Sequence, residues 1–357
     1  MPAGQDYADT IKTLREKIHA DVAALLDSAK QKRRFPKRSL ENFLKKKEIK
    51  KLLPNNIPDE ITKLVNSTEK LTIIPSEVLR TFLDPAWDRL PKSLKRAIEG
   101  TKDLRPPTQA SSNFLINREL GDWAENAVLK AVNGTRLEIT AVHYGRIDKL
   151  ILGENGFKEL FQEHMQELKS IGKRPDILIY RKTGAPPASF EGKTKAEMVE
   201  LAKAAIAGFE IRSSHQAITQ DRLGELSFTP KIEDIDNVVR WIEQHKVPHF
   251  YVQVLFGGAY AIGFDEILKV LASSPKEGAY TIAKKARNQF KATIYIPLNK
   301  GVPLSSDFKK PTELKGSIKE LPEGRVVIIV EFAGGGIELS EDSLARLIDP
   351  PAPGNLQ

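Results

Sequence analysis

The chain has 357 residues, 40% of them hydrophobic and 29% charged, with a formal net charge of +8 and a pI near 9.3. Such a chain can bury a sizeable core, and its basic excess favours polyanionic partners. It contains no cysteine, and its six histidines show no HExxH-type spacing. Disulfides, thiolate nucleophiles, iron–sulfur clusters and cysteine-ligated zinc are therefore excluded, and an essential metal is expected to be hard and oxygen-bound.

No stretch approaches the roughly 18 apolar residues that a membrane helix requires. The first 25 residues are amphipathic and charged, unlike a signal peptide, so no membrane association and a cytoplasmic location are expected. Ile11, Leu14, Ile18, Val22 and Leu25 recur at helical steps. Residues 1–105 thus read as a helical N-terminal region interrupted by prolines. Residues 30–51 carry eleven Lys or Arg against two Glu. This run is either a phosphate-contacting surface, with Lys37 and Arg38 as candidate DNA contacts, or a solvated helix face.

Residues 106–112, which open on Pro106-Pro107, read as a linker. Helices and strands alternate beyond it, over 113–357. Helices are expected at 117–131, 157–171, 195–207, 235–244 and 265–271. Strands are expected at 137–144, 177–180, 209–211, 292–297 and 325–332, with a hairpin of 249–256 and 259–264 around Gly257-Gly258. Residues 300–324 read as an exposed, polar excursion and Gly334-Gly335-Gly336 as a turn. Trp87, Trp123 and Trp241 are expected in the core. The pattern predicts a mixed α/β domain with a central sheet flanked by helices.

Three acids have apolar neighbours. Asp176 opens the run Ile-Leu-Ile-Tyr, Glu210 lies between Phe209 and Ile211, and Glu125 follows Gly121-Asp-Trp-Ala. A carboxylate at a buried strand needs a partner, which is either a basic side chain or a divalent cation. Convergent carboxylates holding Mg2+ would suit phosphodiester hydrolysis.

Pro175-Asp176, followed by an apolar strand and then by Glu210-Ile211-Arg212, resembles the PD-(D/E)XK nuclease signature, with Gly121-x-x-x-Glu125 resembling its additional acidic position. Together with Phe209-Glu-Ile-Arg-Ser-Ser214, Leu226-Ser-Phe-Thr-Pro-Lys231 and Val247-Pro-His-Phe-Tyr-Val-Gln-Val254, these segments resemble type II restriction endonucleases of the AccI group over about residues 115–265. The resemblance implies a PD-(D/E)XK core, Mg2+ as cofactor and hydrolysis of both strands of double-stranded DNA. Asp176 and Glu210 would be metal ligands and Glu125 an additional acid. Arg212 falls where the motif has lysine, and arginine cannot serve as a general base. It would stabilise phosphate charge or form a structural ion pair. Lys231 is the candidate replacement ammonium, or else an ordinary loop lysine.

Ser213, Ser214, His215 and Gln216 would contact phosphate or bases, or simply satisfy a turn. A homodimer would match two sites to two strands of a palindrome. The alternatives are a structure-reading repair or junction nuclease on the same core, or a non-enzymatic DNA-binding protein.

Overall fold

The computed structural model describes residues 4–30, 34–36, 73–75, 84–89, 112–144, 156–217, 226–285, 288–305, 308–320 and 326–349. By contacts the chain divides into two compact units. The first holds residues 1–20, 106–282 and 293–357, and the second holds 21–105 and 283–292.

In the second unit the described elements are most of α2 (Ala20–Lys30), strands β1 (Arg34–Pro36) and β2 (Ile73–Pro75), a 3-10 turn at Asp84–Arg89, and residues 283–285 and 288–292 of two later strands. β1 and β2 pair antiparallel, Phe35 opposite Ile74. The all-helical expectation for 1–105 therefore needs correction here. Each strand ends on a proline, which helices exclude from their interiors and extended edge segments tolerate. Trp87 is buried as expected.

The first unit is built on a six-stranded sheet of order β11-β8-β7-β5-β4-β3. Its strands are β3 (Ile139–His143), β4 (Ile177–Arg181), β5 (Ala207–Ala217), β7 (His249–Phe256), β8 (Gly258–Gly263) and β11 (Val302–Ser305). β5 and β7 run parallel while the other neighbours are antiparallel, so the sheet is mixed. A parallel pair needs a crossover. It is supplied by β6 (Ser227–Phe228) and α6 (Ile232–His245), the sixth helix among the described residues. β9 (Thr281–Lys285) and β10 (Asn288–Pro297) follow the hairpin, and Ile296 of β10 pairs opposite Phe228 of β6.

Helix α3 (Ser112–Asn133) covers one face of the six-stranded sheet. Leu120, Trp123, Ala124, Ala127, Val128 and Val132 fall on one side at three- and four-residue steps, and they pack on Ile139, Ile177, Phe209, Ile211 and Val252. Helix α8 (Glu341–Ile348) closes the same core with Leu344, Leu347 and Ile348. Trp123 donates from Nε1 to the carbonyl of Gly334 at 2.9 Å, tying α3 to a turn whose Gly334 and Gly335 adopt φ of 73° and 70°. The triple-glycine turn read from the sequence is thus present.

The opposite face carries α6, whose Ile235, Val238, Trp241 and Ile242 are buried. Helix α1 (Gly4–Glu16) rests against α6 and α7 (Phe264–Ala272), and Arg15 pairs with Asp236 at 2.5 Å. The remaining helices, α4 (Phe157–Ser170) and α5 (Lys195–Lys203), precede β4 and β5 respectively. α5 starts on a capping box, in which Thr194 and Glu197 satisfy each other's backbone N–H.

Two expectations were too narrow. β5 runs well past Ile211, because its polar continuation through Ser213 still pairs with β7. The expected excursion at 300–324 holds β11, β12 (Phe308–Lys309) and β13 (Glu313–Glu320). β11 completes the sheet by pairing with β8, while β13 is held by β14 (Val326–Ala333) in an eight-pair antiparallel ladder. Both segments are too polar on one face to announce themselves as strands.

Candidate active site

Register explains how two acids 34 positions apart in sequence become neighbours. β4 and β5 pair with Ile177 opposite Phe209, so Asp176, one step before β4, lies beside Glu210. Asp176 donates its N–H to the carbonyl of Phe209 at 2.9 Å, and its Oδ2 accepts the N–H of Ile211 at 2.6 Å. The intervening insertion, containing α5, leaves this pairing undisturbed. Gly208 permits it, since a Cβ there would stand 2.8 Å from Cγ of Pro175.

Side chains alternate along β5. Phe209 and Ile211 join the α3 core, and Glu210 and Arg212 point to the face under α6. Glu210 is only 1% exposed. Its Oε1 accepts from Lys173 Nζ at 2.6 Å and forms an ion pair with Arg212 at 2.7 Å. Asp234, in the first turn of α6, accepts from the same two cations, from Lys173 at 2.8 Å and Arg212 at 3.3 Å. Oε2 of Glu210 is buried with no hydrogen-bond partner.

Neither Lys173 nor Asp234 was singled out from the sequence. The only signal was Lys173 three residues before Asp176 in Gly172-Lys-Arg-Pro-Asp. Nothing local says that α6 will lie over Glu210. The anchor is Gly172, at φ of 85°, where a Cβ would fall 2.2 Å from the carbonyl oxygen of Asn237 on α6. That close approach, together with the 2.9 Å bond from Lys173 N–H to Asn237 O, sets the lysine beside Asp234.

The electrostatics are asymmetric. Burial pushes Glu210 up, but Lys173 and Arg212 outweigh it and hold the carboxyl below its ordinary range. Asp234 is likewise penalised by burial, yet the same cations bring it down to about 2. Asp176 is pushed up to about 7, first by burial and then by the charge of Glu210. Glu125, reaching in from α3, is pushed up to about 9 by burial and by Asp176, Asp122 and Glu210. Beneath them His249, fully buried among Trp241, Tyr251 and Phe264, is lowered to about 4 by burial.

The structure thus brings Asp176, Glu210, Glu125 and Arg212 into one electrostatic cluster. Lys231 stands at the N-cap of α6, where its charge acts on Asp234. Ser213 and Ser214 follow on β5, half-buried. The side chains of His215 and Gln216, like Lys37 and Arg38, lie outside the described residues. A cavity of about 1070 Å³ lined by Glu119, Asp122, Trp123 and the Gly334–Gly336 turn has none of the candidate site residues in its lining.

Among the described residues no three His, Asp or Glu side chains converge tightly enough to chelate a metal by themselves. Mg2+ does not require that, since it commonly takes one or two carboxylates and completes its shell with water and phosphate oxygens. The orphaned, buried Oε2 of Glu210 beside the destabilised charge of Asp176 fits such a cation. Among the described residues no helix is long and apolar enough to cross a membrane.

A family model described as AccI restriction endonuclease matches residues 89–225 and 218–350. No curated protein and no solved structure matches the chain.

Proposed function

The chain belongs to the AccI restriction endonuclease family, and from that premise we propose that it is a Mg2+-dependent type II site-specific deoxyribonuclease. The reading takes the sheet with Asp176 and Glu210 on adjacent strands as a PD-(D/E)XK core. The observation that carries it is the free, buried Oε2 of Glu210 next to Asp176.

In this reading Asp176 and Glu210 hold the cation and Glu125 adds a third acid to the site. When bound, Mg2+ would withdraw charge from the scissile phosphate and lower the pKa of the attacking water. Arg212 stays protonated at every accessible pH, because Glu210 and Asp234 more than offset its burial. It can therefore stabilise negative charge but cannot accept a proton. Asp176, with a pKa of about 7, can exchange a proton near neutrality. Lys231 would be the ammonium that replaces the motif lysine, and DNA would be held by Ser213 to Gln216, Lys37 and Arg38, with residues 1–105 as a DNA-contacting region and 113–357 as the catalytic domain. A cytoplasmic homodimer would cut both strands of a short palindromic site.

Digestion of plasmid DNA with Mg2+ should give discrete fragments. Asp176→Ala and Glu210→Ala should each lower cleavage by at least about a thousandfold while still binding DNA in Ca2+. Full activity in either variant refutes the site. Preference for branched over plain duplex DNA would favour a structure-reading nuclease instead.

A further inference from the structure

Four charged side chains from three segments close a ring. Lys173 contacts Glu210 and Asp234, and Arg212 contacts the same two acids, with all four N–O separations between 2.6 and 3.3 Å. Two cations and two anions cancel, so the part-buried ring is neutral. Both cations that reach Glu210 do so at Oε1, leaving Oε2 without a partner. Asp176 stands outside the ring, and its Oδ2 is fixed by the Ile211 N–H.

We propose that Lys173 and Asp234 are positioning residues for the metal site. The ring clamps Glu210 by one oxygen so that only the other faces the cation, and it removes Glu210's net charge. The attraction for Mg2+ then comes from the carboxylates outside the ring. This inference rests on the reading of Asp176 and Glu210 as metal ligands. It adds that Lys173, entering from the segment before β4, and Asp234, entering from α6, determine how Glu210 is presented.

The neutral ring makes a signed prediction that packing does not. Lys173→Met leaves the ring with one extra negative charge and should tighten Mg2+ binding. Asp234→Asn leaves one extra positive charge and should weaken it. A unit charge this close to a buried divalent ion corresponds to at least about a tenfold change in each direction. The double variant restores neutrality, so its Mg2+ midpoint should return to within about threefold of wild type. Its cleavage should stay at least about a hundredfold down, because Oε1 loses the Lys173 arm of its clamp and Arg212 loses the Asp234 carboxylate that holds it.

The midpoint is read from melting temperature in a titration with magnesium chloride alone, and cleavage from single-turnover assays. Shifts of the same sign in the two single variants, or wild-type cleavage by the double variant, overturn the proposal while leaving the metal site standing. If Lys173→Met does not fold, an unmoved midpoint in Asp234→Asn overturns it. A wild-type protein whose melting ignores Mg2+ and which cleaves no DNA overturns the metal-site reading and this inference with it.

Discussion

Replacing Asp176 by asparagine should make the metal-free protein more stable, although it removes a residue assigned to the active site. The amide side chain would keep an oxygen for the Ile211 N–H, which Asp176 now accepts at 2.6 Å, and would lose only the charge. The difference between the ordinary 3.8 and about 7 for this carboxyl corresponds to about 4 kcal/mol when the group is fully ionised. Asp176 is partly open to water, which screens part of that, so a gain of about 2 kcal/mol is expected. In a body of this size it raises Tm by about 5 °C.

The pH dependence fixes the cause. Because the folded state binds this proton more tightly than the unfolded chain, wild-type stability falls as pH rises from 3.8 to about 7 and stays lowered above it. The advantage of Asp176→Asn should therefore be full at pH 8 and absent below about pH 4. Calorimetry in EDTA at both values measures it. Adding Mg2+ should stabilise wild type and leave the variant behind, since only wild type gains from mass action. A variant that melts at or below wild type at pH 8 in EDTA, or a gap that persists unchanged at low pH, refutes the reasoning.

Proton competition gives a second expectation. Asp176 at about 7 and Glu125 at about 9 must lose protons for the site to reach its full negative charge. The Mg2+ midpoint measured by calorimetric titration should therefore tighten by at least about tenfold between pH 6 and 8.5, with proton release on binding; a flat profile contradicts the assignment. Gly172→Ala should cost about 2 kcal/mol or more, because φ of 85° is strained for alanine and its Cβ would collide with the Asn237 carbonyl. Chemical denaturation measures the cost, and a neutral substitution would mean that α6 does not rest on this turn.

Much of the fold was legible because burial and periodicity agree. The stripe from Leu120 to Val128, the apolar run from Ile177 and the near-continuous apolar strand from His249 each have one structural solution. β13 was not legible. Leu314 and Ile318 lie four apart among charged residues and are 67% and 77% exposed, so a strand held only by its partner left no pattern. Asp176 and Glu210 stood out as acids among apolar neighbours, but their adjacency depended on a register that the 34-residue separation concealed. Lys173 and Asp234 were invisible for a different reason. A charge in a loop and a charge in the first turn of a helix are ordinary alone, and only the placement of α6 over Glu210 joins them.

The parallel pairing of β5 with β7 bears on how the protein reaches its working state. That pairing cannot form until the crossover through α6 has closed, and Asp234 lies on that crossover. The hairpin of β7 with β8 and the helices can form from local contacts, whereas the ring waits for a non-local one. During refolding, helical signal and hydrophobic burial should therefore return before Mg2+ can be held. A partly folded chain would carry the same acids without the arrangement that sets them side by side.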